Sequence, residues 1–430
     1  MNAPVESRID AHRWPDVARV PRSPLRAAAA RALLRRLVHR LPLRVETPSG
    51  SFGPIGPPVL RLHRPEAFAN RVGAGGLIGF GESYQAGDWD SGDLPGLLTV
   101  LAANVDSLVP PLLQTLRRPF VGSLPGRHDN TPANARRNIA EHYDRSDAMF
   151  ALFLDETMTY SSALFNGAPA RWGDLAEAQR RKIDRLLDRT GVGPDSRVLE
   201  IGTGWGEAAV RAAERGAHVH TVTLSSNQLE HARALAAERG VAGRVEAELR
   251  DYRALDDSRH YDAVISVEMI EAVGERYWPD YFQVLRRSLA PGGKVGLQAI
   301  SMRHDRMLAA RRTYTWIHKY VFPGGIIPSI PAMERCARGA GLRLIDRLDF
   351  GSDYAQTLRL WRERFDSRSG RLTDLGFDEV FRRTWDFYLA YSQAGFASGY
   401  LDVHQLVLEA GRERTLRRTG PDTAKVRRAH

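Results

Sequence analysis

The alternation of apolar and polar positions is clearest between residues 176 and 300, where helical and extended periods succeed one another. Apolar residues recur at helical spacing through 176–190, 208–215, 227–239 and 277–289. Short apolar runs at 197–201, 219–224, 261–267 and 294–300 read as strands, with 244–247 also extended. The last of these strands follows the turn Pro291-Gly292-Gly293. Strands alternating with helices predict a parallel, doubly wound Rossmann-like α/β sheet that binds ligands at the carboxyl ends of its strands. Residues 301–350 break the rhythm with a basic, aromatic-rich segment, and 374–410 return to a helix and a final strand. Upstream, 24–120 hold a helix, an extended pattern near 59–63, a glycine-rich stretch from Gly73 to Gly81 and an apolar helical segment at 94–117. The expected organisation is a disordered start (1–20), a smaller mixed α/β N-terminal domain (21–122), a linker (123–134), the main domain (135–410) and a flexible basic tail (411–430).

Between Val17 and Val45 there is no acidic residue, while Arg19, Arg22, Arg26, Arg31, Arg35, Arg36 and Arg40 all fall there. Leu25, Ala29, Leu33, Leu37 and Leu41 recur every fourth position. This predicts a basic amphipathic helix, which either lies on an anionic membrane surface or packs on its own domain with a solvated basic face. Membrane association would be peripheral. The most apolar stretch, Leu94 to Leu116, is broken by Asn104, Asp106 and Pro110-Pro111, and the start of the chain has no apolar signal core. The 430 residues carry a net charge of +10 and one cysteine, Cys336. That cysteine count excludes an intrachain disulfide or a thiolate metal cluster and fits a reducing cytoplasm. No metal site is expected.

The chemistry concentrates at the ends of the predicted strands. Glu200 closes the first, and Gly202, Gly204 and Gly206 alternate after it, with Trp205 between the last two. Glycines there allow positive φ and close backbone approach to a ligand, and the helix behind offers free N–H groups. The spacing Glu-x-Gly-x-Gly-x-Gly is not that of a dinucleotide loop and favours a nucleoside joined to an amino acid. Thr223, Leu224 and Gln228 follow the second strand, where a ribose would be held. Asp251 and Tyr252 follow the third, suited to an adenine edge and face. Before the sheet come His142-Tyr-Asp-Arg-Ser146, Phe150–Asp155 and Met158-Thr-Tyr-Ser161. These aromatics suit a sulfonium. After the buried strand 261–267 stand Glu268 and Glu271, able to hold a base, accept a proton or stabilise a cation.

Together these stretches resemble the cyclopropane-fatty-acyl-phospholipid synthase family of S-adenosylmethionine-dependent lipid methyltransferases. The resemblance covers roughly residues 60–410, with further family marks at Gly79–Tyr84, Asp88-Trp-Asp90, Phe322-Pro-Gly-Gly and Asp353-Tyr354. It implies a class I methyltransferase fold. It also implies that Tyr160, Ser161, Gly202, Gly204, Thr223, Leu224 and Gln228 bind S-adenosylmethionine, and that Tyr252 lies near adenine. Glu271 and Tyr354 match residues that surround a bound bicarbonate, the base in family members. The chain departs from the pattern at Ser162 (family Cys), Gln298 (family His), Ala272 (family His) and Glu268 (often Gly). The base is therefore expected to be held or supplied differently.

Glu-Met-Ile-Glu with Gln298 resembles the actinobacterial tuberculostearic (10-methylstearic) acid branch. In that branch the methyl of S-adenosylmethionine goes to the cis double bond of an oleoyl phospholipid. Proton loss then leaves a 10-methylene chain, which a separate reductase saturates. Cyclopropane formation on the same chain is the alternative, and a small molecule or RNA is a more distant acceptor. A non-catalytic lipid- or nucleic-acid-binding protein is disfavoured by the intact glycine loop and Glu271. The expected partners are an unsaturated phospholipid, the anionic inner face of the cell membrane, the reductase and further copies of the chain. Nucleic acid is not among them.

Overall fold

The computed structural model describes residues 9–56, 58–105, 131, 147–311 and 313–411. The motif His142–Ser146, nearly all of the expected linker and the tail beyond 411 lie outside the described residues.

The N-terminal part begins with α1 (Pro15–Ala18) and α2 (Pro24–Val38). Then come β1 (Arg44–Thr47), β2 (Gly50–Phe52), β3 (Val59–Leu62), α3 (Pro65–Gln85), β4 (Trp89–Asp90) and α4 (Leu94–Ala103). Its four strands form a small sheet in the order β2-β1-β3-β4. Residues 9–20 are not disordered as their composition suggests. Val17 is buried, and the buried Arg71 guanidinium donates to the carbonyls of Asp16, Val17 and Arg19 at 2.7–3.1 Å. The indole of Trp14 donates to Asp378 at 2.8 Å. These captures lie 52 or more positions away along the chain, so no local pattern announces them.

Helix α2 forms as expected, but its apolar stripe splits. Steps of four residues advance about 40° per step, so five members sweep far around the helix. Leu34, Leu37 and Val38 face the core, while Leu25 is 87% and Leu33 41% exposed. Helix α3 runs through the glycine-rich stretch that was not read as a helix. Gly76 (φ 56°, ψ −127°) kinks it, and Gly81 then lies against the Trp316 indole, where a Cβ would not fit.

The main part continues with α5 (Leu175–Thr190), β5 (Arg197–Ile201), α6 (Glu207–Glu214), β6 (His218–Thr223), α7 (Ser226–Glu238) and β7 (Val245–Leu249). Next are β8 (Tyr261–Val267), α8 (Trp278–Arg287), β9 (Leu289–Met302), α9 (His304–Ala310), α10 (Trp316–Tyr320) and α11 (Ile330–Gly339). Last come β10 (Leu342–Asp349), α12 (Gly351–Ser367), α13 (Glu379–Ala397) and β11 (Leu401–Ala410). The seven strands take the order β10-β11-β9-β8-β5-β6-β7. The pairs among β5 to β9 are parallel, but β11 runs antiparallel to both β9 and β10. The sheet is thus not wholly parallel, because the chain enters β11 from α13 as a direct insertion between two strands rather than a crossover.

A single core joins the two parts. Phe80 and Trp89 stack at 4.6 Å, and Trp316 and Phe387 meet edge-on at 4.8 Å. Tyr84 donates its hydroxyl to the buried Asp386. The expected domain boundary is a feature of composition and is not a gap in packing. Among the described residues no helix is long and apolar enough to cross a membrane.

Candidate active site

The carboxyl ends of β5, β6 and β8 open into a cleft, lined also by 157–161 and α5. Gly202 (φ 95°) and Gly206 (φ 98°) turn the chain from β5 into α6. Side chains there would meet Met269 and the backbone of Ala232. Glu200, Gly202, Gly204, Trp205, Gly206, Thr223, Leu224, Gln228, Tyr252, Tyr160 and Ser161 all line this cleft. The Thr223 hydroxyl donates to Gln228 at 2.9 Å and accepts from the Ser225 N–H, which fixes the amide at the mouth of α7. Tyr252 packs edge-on against Tyr281 at 5.6 Å. Asp251 is the exception. It is bound back by Arg253 through three contacts of 2.6–3.0 Å and does not line the cleft, whereas Arg250 and Arg253 do. An aspartate two residues before an arginine caps its own turn more readily than it reaches a ligand.

The floor of the cleft is acidic. Burial pushes Glu200 up to about 8 against the lowering effect of the Thr221 hydroxyl. Its carboxylate accepts from that hydroxyl at 2.6 Å. A cationic ligand there, an ammonium or a sulfonium, would draw Glu200 back towards its charged form.

Glu268 is the focus of the deeper chemistry. It lines the cleft and holds φ at 50°, a left-handed backbone that a non-glycine residue adopts only under constraint. Three donors converge on its carboxylate. The Ser162 N–H and the Gln298 amide both donate to Oε1 at 2.9 Å, and the Tyr354 hydroxyl donates to Oε2 at 2.8 Å. Gln405 sets the direction of the Gln298 amide by donating to its Oε1 at 3.1 Å, and Arg185 holds Gln405 at 2.9 Å. Burial raises Glu268 above the ordinary carboxylate range, and Lys182 opposes that rise.

Glu271 sits behind. Its Oε1 accepts the Ile300 N–H at 2.5 Å, and its other oxygen is buried without a hydrogen-bond partner among the described residues. Burial first, and the Glu268 charge second, push it up to about 8. At neutral pH Glu271 is therefore mainly protonated, which relieves the repulsion between the two carboxylates.

The Tyr354 hydroxyl serves Glu268. The cradle of Ser162, Gln298 and Tyr354, where the resemblance places bicarbonate, is filled by the carboxylate of Glu268 itself. A bicarbonate does not fit there: its donors are engaged, and it would add an anion beside two buried acids. Sequence reasoning missed Lys182 and Gln405. The only available signal was Glu268 in place of a glycine.

The chain is similar to known proteins over most of its length. Residues 130–406 match the family model described as mycolic acid cyclopropane synthetase. The chain is 55% identical to tuberculostearic acid methyltransferase UfaA1 of Mycobacterium tuberculosis, over 93% of this chain and 96% of that protein. It is 32% identical to the cyclopropane-fatty-acyl-phospholipid synthase of Escherichia coli, over 84% of this chain and 90% of that one. Among solved structures it resembles mycolic acid cyclopropane synthase CmaA1 complexed with SAH and CTAB. That likeness has a TM-score of 0.58 at 31% identity, covering 64% of this chain and 97% of that chain.

Proposed function

The chain belongs to the mycolic acid cyclopropane synthetase family, and on that footing we propose that it makes the 10-methylene precursor of 10-methylstearic (tuberculostearic) acid on phospholipid. It is an S-adenosylmethionine-dependent C-methyltransferase of lipid acyl chains. The acceptor is the cis double bond of an oleoyl chain. The product assignment follows the 55% identity to tuberculostearic acid methyltransferase UfaA1, and the observation that carries the assignment of the base is the Glu268 carboxylate, gripped by Ser162, Gln298 and Tyr354 at the floor of the glycine-loop cleft.

When bound, S-adenosylmethionine supplies an electrophilic methyl group. Tyr160, Ser161, Gly202, Gly204, Thr223, Leu224, Gln228 and Tyr252 hold it, and the aromatic wall of Phe150, Tyr160 and Trp205 excludes water. The alkene π pair forms a C–C bond to the methyl as the C–S bond breaks, which leaves a cation on the neighbouring carbon. A hydride shift from the methylated carbon moves the positive charge onto that carbon. Glu268 then takes a proton from the new methyl, and the C–H pair becomes the double bond of a branching methylene (C=CH2). The Glu268 carboxylate stabilises the cation before it accepts the proton. A proton lost before the hydride shift would close a cyclopropane ring instead.

Lipid extraction from a host that makes oleoyl phospholipid, expressing this chain without a reductase, tests the proposal. Proton NMR and mass spectrometry of the methyl esters are expected to show a C19 chain with a branching methylene (C=CH2) and no ring. A ring-bearing chain as sole product overturns the methylene assignment.

The enzyme is proposed to work as a homo-oligomer at the inner face of the cell membrane, with a separate reductase saturating its product. Support for the membrane surface comes from α2. At about 100° per residue, Leu25, Ala29, Leu33 and Arg36 fall on one side, opposite Ala27, Leu34 and Val38. Arg22 and Arg40 flank that exposed side. Each arginine at an anionic surface contributes about 1 kcal/mol. Replacing Arg22, Arg36 and Arg40 with Gln is expected to lower partitioning onto phosphatidylglycerol-containing vesicles about a hundredfold. Partitioning onto purely zwitterionic vesicles should change little. Equal binding of both proteins in a flotation assay removes this face from membrane recognition.

A further inference from the structure

Lys182 has no part in the chemistry above, yet it is a costly residue. It lies mid-way along α5, has no solvent exposure, and lines the methyl-donor cleft. Its Nζ donates to Ser161 Oγ. A buried ammonium is expensive unless a negative charge offsets it, and one hydroxyl does not. Two acids face it, Glu268 and Asp155. One oxygen of Asp155 accepts both the N–H and the hydroxyl of Thr157 at 2.9 and 2.6 Å, and its other oxygen is buried without a hydrogen-bond partner among the described residues. Glu268 has only neutral donors on its carboxylate, and the other acid beside it, Glu271, would repel its charge once ionised. The backbone ties these groups together. Gln405 Nε2 donates to the carbonyl of Lys182 at 2.8 Å and to Gln298 Oε1 at 3.1 Å. One side chain therefore registers both the turn that carries the ammonium and the amide that grips Glu268.

We propose that Lys182 is a positioning residue for the proton-removing step, the counter-charge that keeps Glu268 a carboxylate within its cradle. It acts through the field across the cleft floor and through Ser161, without touching the acyl chain. Lys182 attracts the Glu268 charge, an ionised Glu271 would repel it, and the Ser162 N–H, the Gln298 amide and the Tyr354 hydroxyl donate to it. Burial pushes the Lys182 amine down to about 7, so its charge is poised rather than permanent. Loss of that charge raises the pH at which Glu268 ionises, because its one attractive ion is gone.

The inference rests on Glu268 being the proton acceptor, and the experiment separates the two. Turnover against pH and S-adenosylmethionine affinity by calorimetry are measured for the wild type, Lys182→Met, Lys182→Arg and Glu268→Gln. Lys182→Met is expected to lose at least tenfold in kcat at pH 7. Its acid limb should shift by about a unit or more to higher pH, with activity recovering in alkaline buffer. Arginine keeps its proton, so Lys182→Arg should hold that limb at or below the wild-type position. If Lys182→Met does not fold, the Lys182→Arg limb alone decides, and a limb moved to higher pH overturns the inference. A Lys182→Met loss that is uniform across pH, or confined to donor affinity, also overturns it. Full activity in Glu268→Gln would instead remove the underlying assignment of the base.

Discussion

Glu268→Gln is expected to lower turnover by about two to four orders of magnitude, the range that a positioned general base contributes. The amide keeps the volume of the side chain and an acceptor oxygen for Ser162, Gln298 or Tyr354, so the cradle should persist. It cannot take a proton at neutral pH. S-adenosylmethionine affinity by calorimetry should change little, because Glu268 contacts the reacting end of the cleft and not the glycine loop. Glu271→Gln makes the informative contrast. The Glu271 carboxyl is pushed up to about 8 and is mostly neutral at pH 7, so a neutral amide resembles its working state. Its loss should be much smaller and should vanish as the pH falls below 7. Equal losses in the two variants, measured by methyl transfer from labelled donor, would return the proton-accepting role to the pair as a unit.

Gly206→Ala is expected to disable donor binding and to destabilise the fold by about 2–5 kcal/mol, the sum of left-handed strain and overpacking. Gly206 starts α6 at φ 98°, and a Cβ there would lie 2.8 Å from both Cα and Cβ of Ala232 on α7. Backbone cannot move aside as a flexible side-chain tip can. The two helices would have to part, and the N–H groups at the mouth of α6 would leave the ligand. Gly204→Ala provides the control. Gly204 has φ 53° and open space around its Cβ direction, so only a modest strain of about 1 kcal/mol is expected. Thermal melts with and without S-adenosylmethionine check both variants. A Gly206→Ala protein with wild-type melting and ligand shift would refute the packing account of this loop.

Much of the main sheet was legible because β5, β6, β8 and the second half of β9 are buried on both faces and amphipathic helices stand between them. Glycine spacing located the methyl-donor cleft because positive φ leaves a compositional trace. The kinked α3 was not legible, since glycine weakens the helical signal and only the tertiary contact of Gly81 with Trp316 requires it. Nor was the reversal of β11, because pairing direction depends on which gap in the sheet remains when that strand arrives. Within the site, Glu268 and Glu271 are three residues apart and looked interchangeable. The backbone at Glu268 decides between them: its left-handed turn sends one carboxylate into the cradle while the other points behind it. Lys182 read as an ordinary charge on an amphipathic helix, because an amphipathic pattern identifies an apolar face and cannot identify a charge deliberately enclosed by it.

The shared aromatic core also has a consequence for the birth of the molecule. Phe80, Tyr84 and Trp89 find their partners on α13, around Phe387, close to the end of the chain. A ribosome would have to add nearly three hundred further residues after Trp89 before that helix emerges. Until then the N-terminal quarter must hold unpaired aromatic surface, a long-range closure that slows folding and invites aggregation or chaperone capture. The last helix of the catalytic part is thus also the first half's missing wall, and the polypeptide cannot finish its beginning until it has reached its end.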